Sequence, residues 1–148
     1  MRPASVGTLT LPSRDPAAAP RIDLNLLADA GDRTRMLEGI ALSRRIAASA
    51  PLRDLILGEI NPGPAANSDA EVQQTMLTTL GTYNHPTSTA PMGADHDPAA
   101  VTDHRGMVFG TENLRVADAS LLPDIPSTPP HLMIIAAAEY LADQIRHT

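Results

Sequence analysis

Residues Gly110–Ile145 read GTENLRVADASLLPDIPSTPPHLMIIAAAEYLADQI. Leu114–Ala117 predicts a short strand, Asp118 an acidic turn, and the prolines that follow a broken loop. From His131 onward the stretch predicts a helix that is apolar almost all round, with a histidine in its first turn. Ser127 or Thr128 suits the N-cap, and Pro129 and Pro130 suit the first turn of that helix. His131 would then stand where backbone N–H groups are unpaired and the helix dipole is positive. Such a setting favours a neutral imidazole that can act as a base. On the residues alone it is equally an ordinary first-turn histidine.

Upstream, Val6–Leu11 alternates apolar and polar residues and predicts a strand, with a proline-rich turn after it. Ile22–Leu27 is a second short strand candidate. Asp32 is a candidate N-cap. Apolar residues at Met36, Leu37, Ile40, Ala41, Ile46 and Ala47 predict an amphipathic helix over 33–50. Ser68 or Asp69 would cap a second helix over 70–82. The stretch from Tyr83 to Gly106 is long and irregular, a length at which a loop is usually functional or disordered. Strands and helices mix without a repeated β-α-β rhythm, so the predicted class is α+β.

The chain has 148 residues, which suits one domain. Its net charge is −6 and all 11 cations are arginine. No basic cluster occurs, so nucleic acid is not an expected partner. There is no cysteine, which excludes disulfides and thiolate metal sites. No uncharged apolar run reaches the roughly 20 residues of a membrane span. The polar opening MRPASVGTLTLPSRDP does not read as a signal peptide, so the expected location is cytoplasmic.

The segments YNHPTSTAPMG, VTDHRGMVFGTENLRVADASLLP and PPHLMIIAAAEYLADQI together resemble the C-terminal region of the glucose-methanol-choline (GMC) oxidoreductases, flavoenzymes that oxidise alcohols. That family's pattern is roughly H-P-x-G-T-x-x-M-G, then V-V-D, then V-x-G-x-x-N-L-R-V-x-D-A-S-x-x-P, and a final helix carrying E and A-D. The matches include His85, Pro86, Met92, Gly93, Asp103, Gly110, Asn113 to Val116, Asp118 to Ser120, Glu139 and Asp143. The opening, RPASVGTLTLPSRDPAAAPRIDLNLL, is similar more loosely to the family's P-x-S-x-G strand and the segment after it. Ser88 stands where the family usually has glycine, and Pro91 where it usually has a basic residue.

The resemblance implies a partial substrate-binding domain over 1–94, a mixed or antiparallel sheet with helices. Over 95–148 it implies a strand and a helix that return to the FAD-binding domain. The Rossmann part of the family, with its G-x-G-x-x-G turn, has no counterpart in this sequence. FAD is therefore the implied cofactor, though this chain alone is not expected to retain it. The implied partners are an alcohol and an FAD-binding half or subunit, and an exposed strand edge is expected to invite self-association.

The resemblance places the two catalytic positions at His85 and His131, the second being histidine or asparagine in the family. It places flavin contacts at Asp118, Ala119, His131 and Leu132. Glu139 and Asp143, at i,i+4, read as a solvated face, because two acids at that spacing repel weakly. Two rival readings stay open: an orphan binding module without chemistry, and a metal site built from Asp95, His96, Asp97, Asp103 and His104.

Overall fold

In the computed structural model, which describes residues 2–147, the chain forms two compact units, residues 3–81 and residues 82–147, with Arg2 joining the second. Among the described residues the architecture is α+β: three α-helices and a two-stranded antiparallel sheet.

In the first unit, prolines at 12, 16 and 20 and an Asx turn at Asp15 reverse the chain between two short strands. These are β1 (Thr8–Thr10) and β2 (Arg21–Asp23), paired with Leu9 opposite Ile22. Both are shorter than the alternation predicts, and both expose every residue. The second shifts towards the N-terminus, because Asn25 and Leu27 adopt positive φ and leave the extended conformation.

Helix α1 spans Ala30–Ala47, about three residues earlier than expected at each end. Its N-cap is Asp29, whose carboxylate accepts the Asp32 N–H at 3.1 Å, and not Asp32. The Asp32 side chain is already engaged. It is buried and accepts the backbone N–H groups of Ala4 (3.0 Å) and Ser5 (2.7 Å), the Ser5 hydroxyl and Arg35. The Ser5 hydroxyl, then the Ala4 N–H, then Ser5's own N–H and the Arg35 charge lower its pKa from 3.8 to about 2, against the opposing effect of burial. Asp32 therefore ties the chain before β1 to the first turn of α1.

Helix α2 (Asp69–Thr79) starts in a capping box. Ser68 Oγ accepts the Glu71 N–H at 3.3 Å, and Glu71 accepts the Ser68 N–H at 2.9 Å. Leu27, Ala66, Val72 and Met76 form the buried core, with Met36, Leu37 and Ile40 of α1 packed against it. Arg44 closes this unit from one side. It donates to both Glu59 carboxylate oxygens, at 2.8 and 2.9 Å, and to the Ala66 carbonyl at 2.9 Å.

The second unit is held mainly by backbone pairing between irregular segments. Gly93 N–H donates to Thr102 O (2.9 Å), Asp103 N–H to Met107 O (3.0 Å), and Val116 N–H to Gly106 O (2.9 Å). The expected strand at Leu114–Ala117 is not formed: only Arg115 makes a bridge, with Met107. The turns at Gly110 (φ 72°) and Asn113 (φ 60°) break the extended run before it can build a ladder. Gly106 is fixed by space as well as by its φ of 72°, since a Cβ there would stand 2.4 Å from the Val116 carbonyl oxygen.

Helix α3 (His131–Arg146) turns one stripe inward: Ile134, Ala137, Ala138, Leu141 and Ala142 are buried or half-buried. Leu132, Met133, Ile135, Tyr140 and Ile145 are exposed, so within this unit the helix is anchored along a single face. Among the described residues, no helix is long and apolar enough to cross a membrane.

Candidate functional site

The residues that sequence singles out lie on three pieces of the second unit: the loop at His85, the turn at Asp118 and the mouth of α3. Backbone hydrogen bonds join the first two. Ser88 N–H donates to Ala119 O (3.2 Å), Ala90 N–H to Ser120 O (3.1 Å) and Met92 N–H to Leu121 O (2.9 Å). The chain leaving His85 therefore runs along the turn that leaves Asp118. Asp118 is the N-cap of that turn, a single 3₁₀ turn over Ala119–Leu121, and its carboxylate accepts the Ser120 N–H at 2.8 Å. Leu121 and Leu122, at the end of the turn, are buried.

His85 is half-buried, and Pro86 biases its backbone to extended conformations. The ring of Tyr83 lies against its imidazole, with centroids 4.8 Å apart and planes at 83°. Three residues on, Ser88 adopts a φ of 67°, in the left-handed region that glycine occupies without strain. The sequence resemblance implies glycine at this position, and the serine adopts the conformation that glycine favours.

His131 is the first residue of α3, and its side chain is exposed. Neither Ser127 nor Thr128 caps the helix. The N-cap is Pro130, which offers no side-chain acceptor, and both predicted caps are exposed. The first intrahelical bond is Ile134 N–H to Pro130 O, at 2.9 Å. The N–H groups of His131, Leu132 and Met133 thus face outward from an uncapped helix end. That end fits the negatively charged portion of a bound group, through its N–H donors and the helix dipole. No hydrogen bond or ring contact joins His131 to His85 among the described residues.

The acidic loop is used differently. Asp97 accepts the Ala99 N–H (2.9 Å), and Asp103 accepts the N–H groups of Arg105 (2.8 Å) and Met107 (2.9 Å). These carboxylates serve turns of their own backbone. No group of three or more His, Asp or Glu side chains that could hold a metal ion occurs among the described residues. Glu139 and Asp143 are exposed, Asp143 beside His147 at 3.3 Å. Arg115 donates to the Arg105 carbonyl at 2.8 Å, a structural tie within the irregular sheet. Tyr83 was not legible as a site residue. Its only signal is its place two residues before His85 in a chain with three aromatic side chains.

A sequence profile of the GMC oxidoreductases matches residues 3–138. The chain is 37% identical over 146 residues to an oxygen-dependent choline dehydrogenase of Chromohalobacter salexigens, covering 99% of this chain and 26% of that protein. Among solved structures, pyridoxine 4-oxidase from Mesorbium loti superposes with a TM-score of 0.87 at 31% identity, over 99% of this chain and 28% of that one. A formate oxidase of Aspergillus oryzae RIB40, in a variant made to study modification of its FAD, gives 0.84 at 34% identity, over 95% and 24%. The chain spans about a quarter of the length of these proteins.

Proposed function

This chain belongs to the GMC oxidoreductase family, and from that premise we propose that it is the substrate-side, C-terminal portion of an FAD-dependent enzyme oxidising the CH–OH group of an alcohol. The single observation that carries the reading is the uncapped mouth of α3. His131 stands there as the first residue of a helix whose N-cap, Pro130, offers no side-chain acceptor.

FAD, when bound, supplies the acceptor for the hydride that leaves the alcohol carbon. Every other step falls to side chains and backbone of this chain. His131, with His85 as the second ring, takes the hydroxyl proton as the carbon loses hydride, and the product is a carbonyl compound. The N–H groups of His131 and Leu132 would hold the negatively charged part of the bound cofactor, as preorganised dipoles do. The backbone around Asp118 and Ala119 holds the turn on which the His85 loop is laid, and that turn is the second place where the cofactor would rest.

The pyrophosphate of FAD needs a glycine-rich cradle that this sequence lacks. A nucleotide-binding portion, in the same polypeptide or as a subunit, is therefore the required partner. Its docking would also cover apolar side chains such as Leu132, Ile135 and Tyr140, which α3 leaves exposed.

The test is reconstitution. The chain joined to such a portion should hold flavin, and its absorbance should bleach anaerobically with a member of an alcohol panel that includes choline and pyridoxine. One carbonyl product should form per flavin. The 148-residue chain alone should purify colourless. A reconstituted protein whose flavin dithionite reduces but no alcohol reduces would contradict the reading.

A further inference from the structure

Among the described residues, the half-buried imidazole of His85 makes no hydrogen bond, and the ring of Tyr83 lies against it. The local backbone makes that contact. Thr82 Oγ1 accepts the Asn84 N–H at 3.0 Å, and Asn84 takes a left-handed φ of 60°. The chain thereby folds back on itself, so that Tyr83 and His85, two residues apart, lie ring against ring and do not point to opposite sides. Pro86 then biases the backbone of His85 towards the extended region. Turn, left-handed residue and proline together present one face of the imidazole to the tyrosine ring.

We propose that Tyr83 is a positioning residue for His85: its ring holds the imidazole in one orientation for proton removal from the alcohol. A near-perpendicular aromatic pair is favoured beyond its area of contact. A base must be aligned with its proton within a narrow range to act. Tyr83 itself is 82% exposed, and its hydroxyl makes no hydrogen bond among the described residues, so the ring and not the hydroxyl carries the role. The proposal rests on the reading of His85 as part of the alcohol site.

Two measurements test it. In the 148-residue chain, the imidazole C–H resonances of His85, assigned by their loss in His85→Gln, should show a ring-current displacement. Tyr83→Leu should abolish that displacement and Tyr83→Phe should retain it. In the reconstituted enzyme, Tyr83→Leu should lower the limiting rate of anaerobic flavin reduction about ten- to a hundredfold. The alcohol dissociation constant from the same titration should stay unchanged, and Tyr83→Phe should restore the rate. A native limiting rate in Tyr83→Leu overturns the proposal. So does an equal loss in Tyr83→Phe, which would move the role to the hydroxyl. A native rate in His85→Ala would remove the base reading itself while leaving the resonance contact intact, so the two failures are distinguishable.

Discussion

The backbone N–H of Ser88 donates to the carbonyl of Ala119 at 3.2 Å, and through this bond the loop of one candidate histidine rests on the turn that Asp118 caps. The turn's stability should therefore reach the loop. Asp118→Ala removes the acceptor of the Ser120 N–H and should cost about 1 kcal/mol. It should also speed hydrogen exchange at Ser88, Ala90 and Met92, the three amides bonded to the turn. Asp118→Asn keeps an acceptor oxygen and should leave exchange close to native. Unchanged exchange at all three amides in Asp118→Ala would break the link between turn and loop.

Ser88 itself is strained. A non-glycine residue at left-handed φ costs about 1–2 kcal/mol, and glycine's greater freedom in the unfolded chain takes back about 0.5–1 kcal/mol. Ser88→Gly should therefore raise stability by roughly 0.5–1 kcal/mol, read as a higher urea midpoint with an unchanged slope. A lower midpoint would show that the contact of the Ser88 hydroxyl with Thr87, at 3.1 Å, outweighs the strain.

Thr102 is fully buried at the centre of the irregular sheet, bridged to both Met92 and Val108, and its hydroxyl has no partner. An unpaired buried polar group costs about 1–3 kcal/mol. Thr102→Val keeps the shape and removes the hydroxyl, so it should stabilise the second unit by about 1 kcal/mol. Differential scanning calorimetry is the check, and a lower Tm would contradict this account of the site.

Acid stability should depend on Asp32. Its folded pKa, about 2, lies below the ordinary 3.8. The protonated form is thus disfavoured in the folded state. The stabilisation is fully present above about pH 4 and is lost as pH falls from there towards 2. Glu59, held low by Arg44, and Glu71, held low by the Ser68 N–H, act in the same direction. Asp32→Asn should lower Tm at neutral pH and flatten the fall of Tm with acid. A wild-type and variant pair with parallel acid profiles would exclude Asp32 as a source of the slope.

The residues make clear which parts of this were legible in sequence. The apolar period at Met36, Leu37 and Ile40 located α1 and its buried face, and the capping chemistry of Ser68 or Asp69 located the start of α2, because both signals are local. The cap of α1 was misplaced by three residues. Asp29 and Asp32 are equally suited as caps, and only the distant Ala4 and Ser5 decide between them. Leu114–Ala117 has a strand's composition, yet left-handed turns at Gly110 and Asn113 limit it to one bridge. Ser127 and Thr128 have capping chemistry, but the helix starts later, after Pro130. The two histidines came from motif and position, whereas the Tyr83 contact depends on a left-handed Asn84 that the letters do not announce.

The central claim is that the alcohol proton is removed at a site formed by His131, at the uncapped end of α3, and His85. The direct measurement is single-turnover reduction of flavin in the reconstituted enzyme under anaerobic conditions, which isolates the chemical step from reoxidation. His131→Ala should slow reduction on the order of 10²- to 10⁴-fold, with His131→Asn milder and His85→Ala similar or somewhat less severe. His96→Ala and His104→Ala, in the solvated loop, should reduce at the native rate. Native reduction in His131→Ala, or loss of reduction in His96→Ala or His104→Ala, would contradict the account.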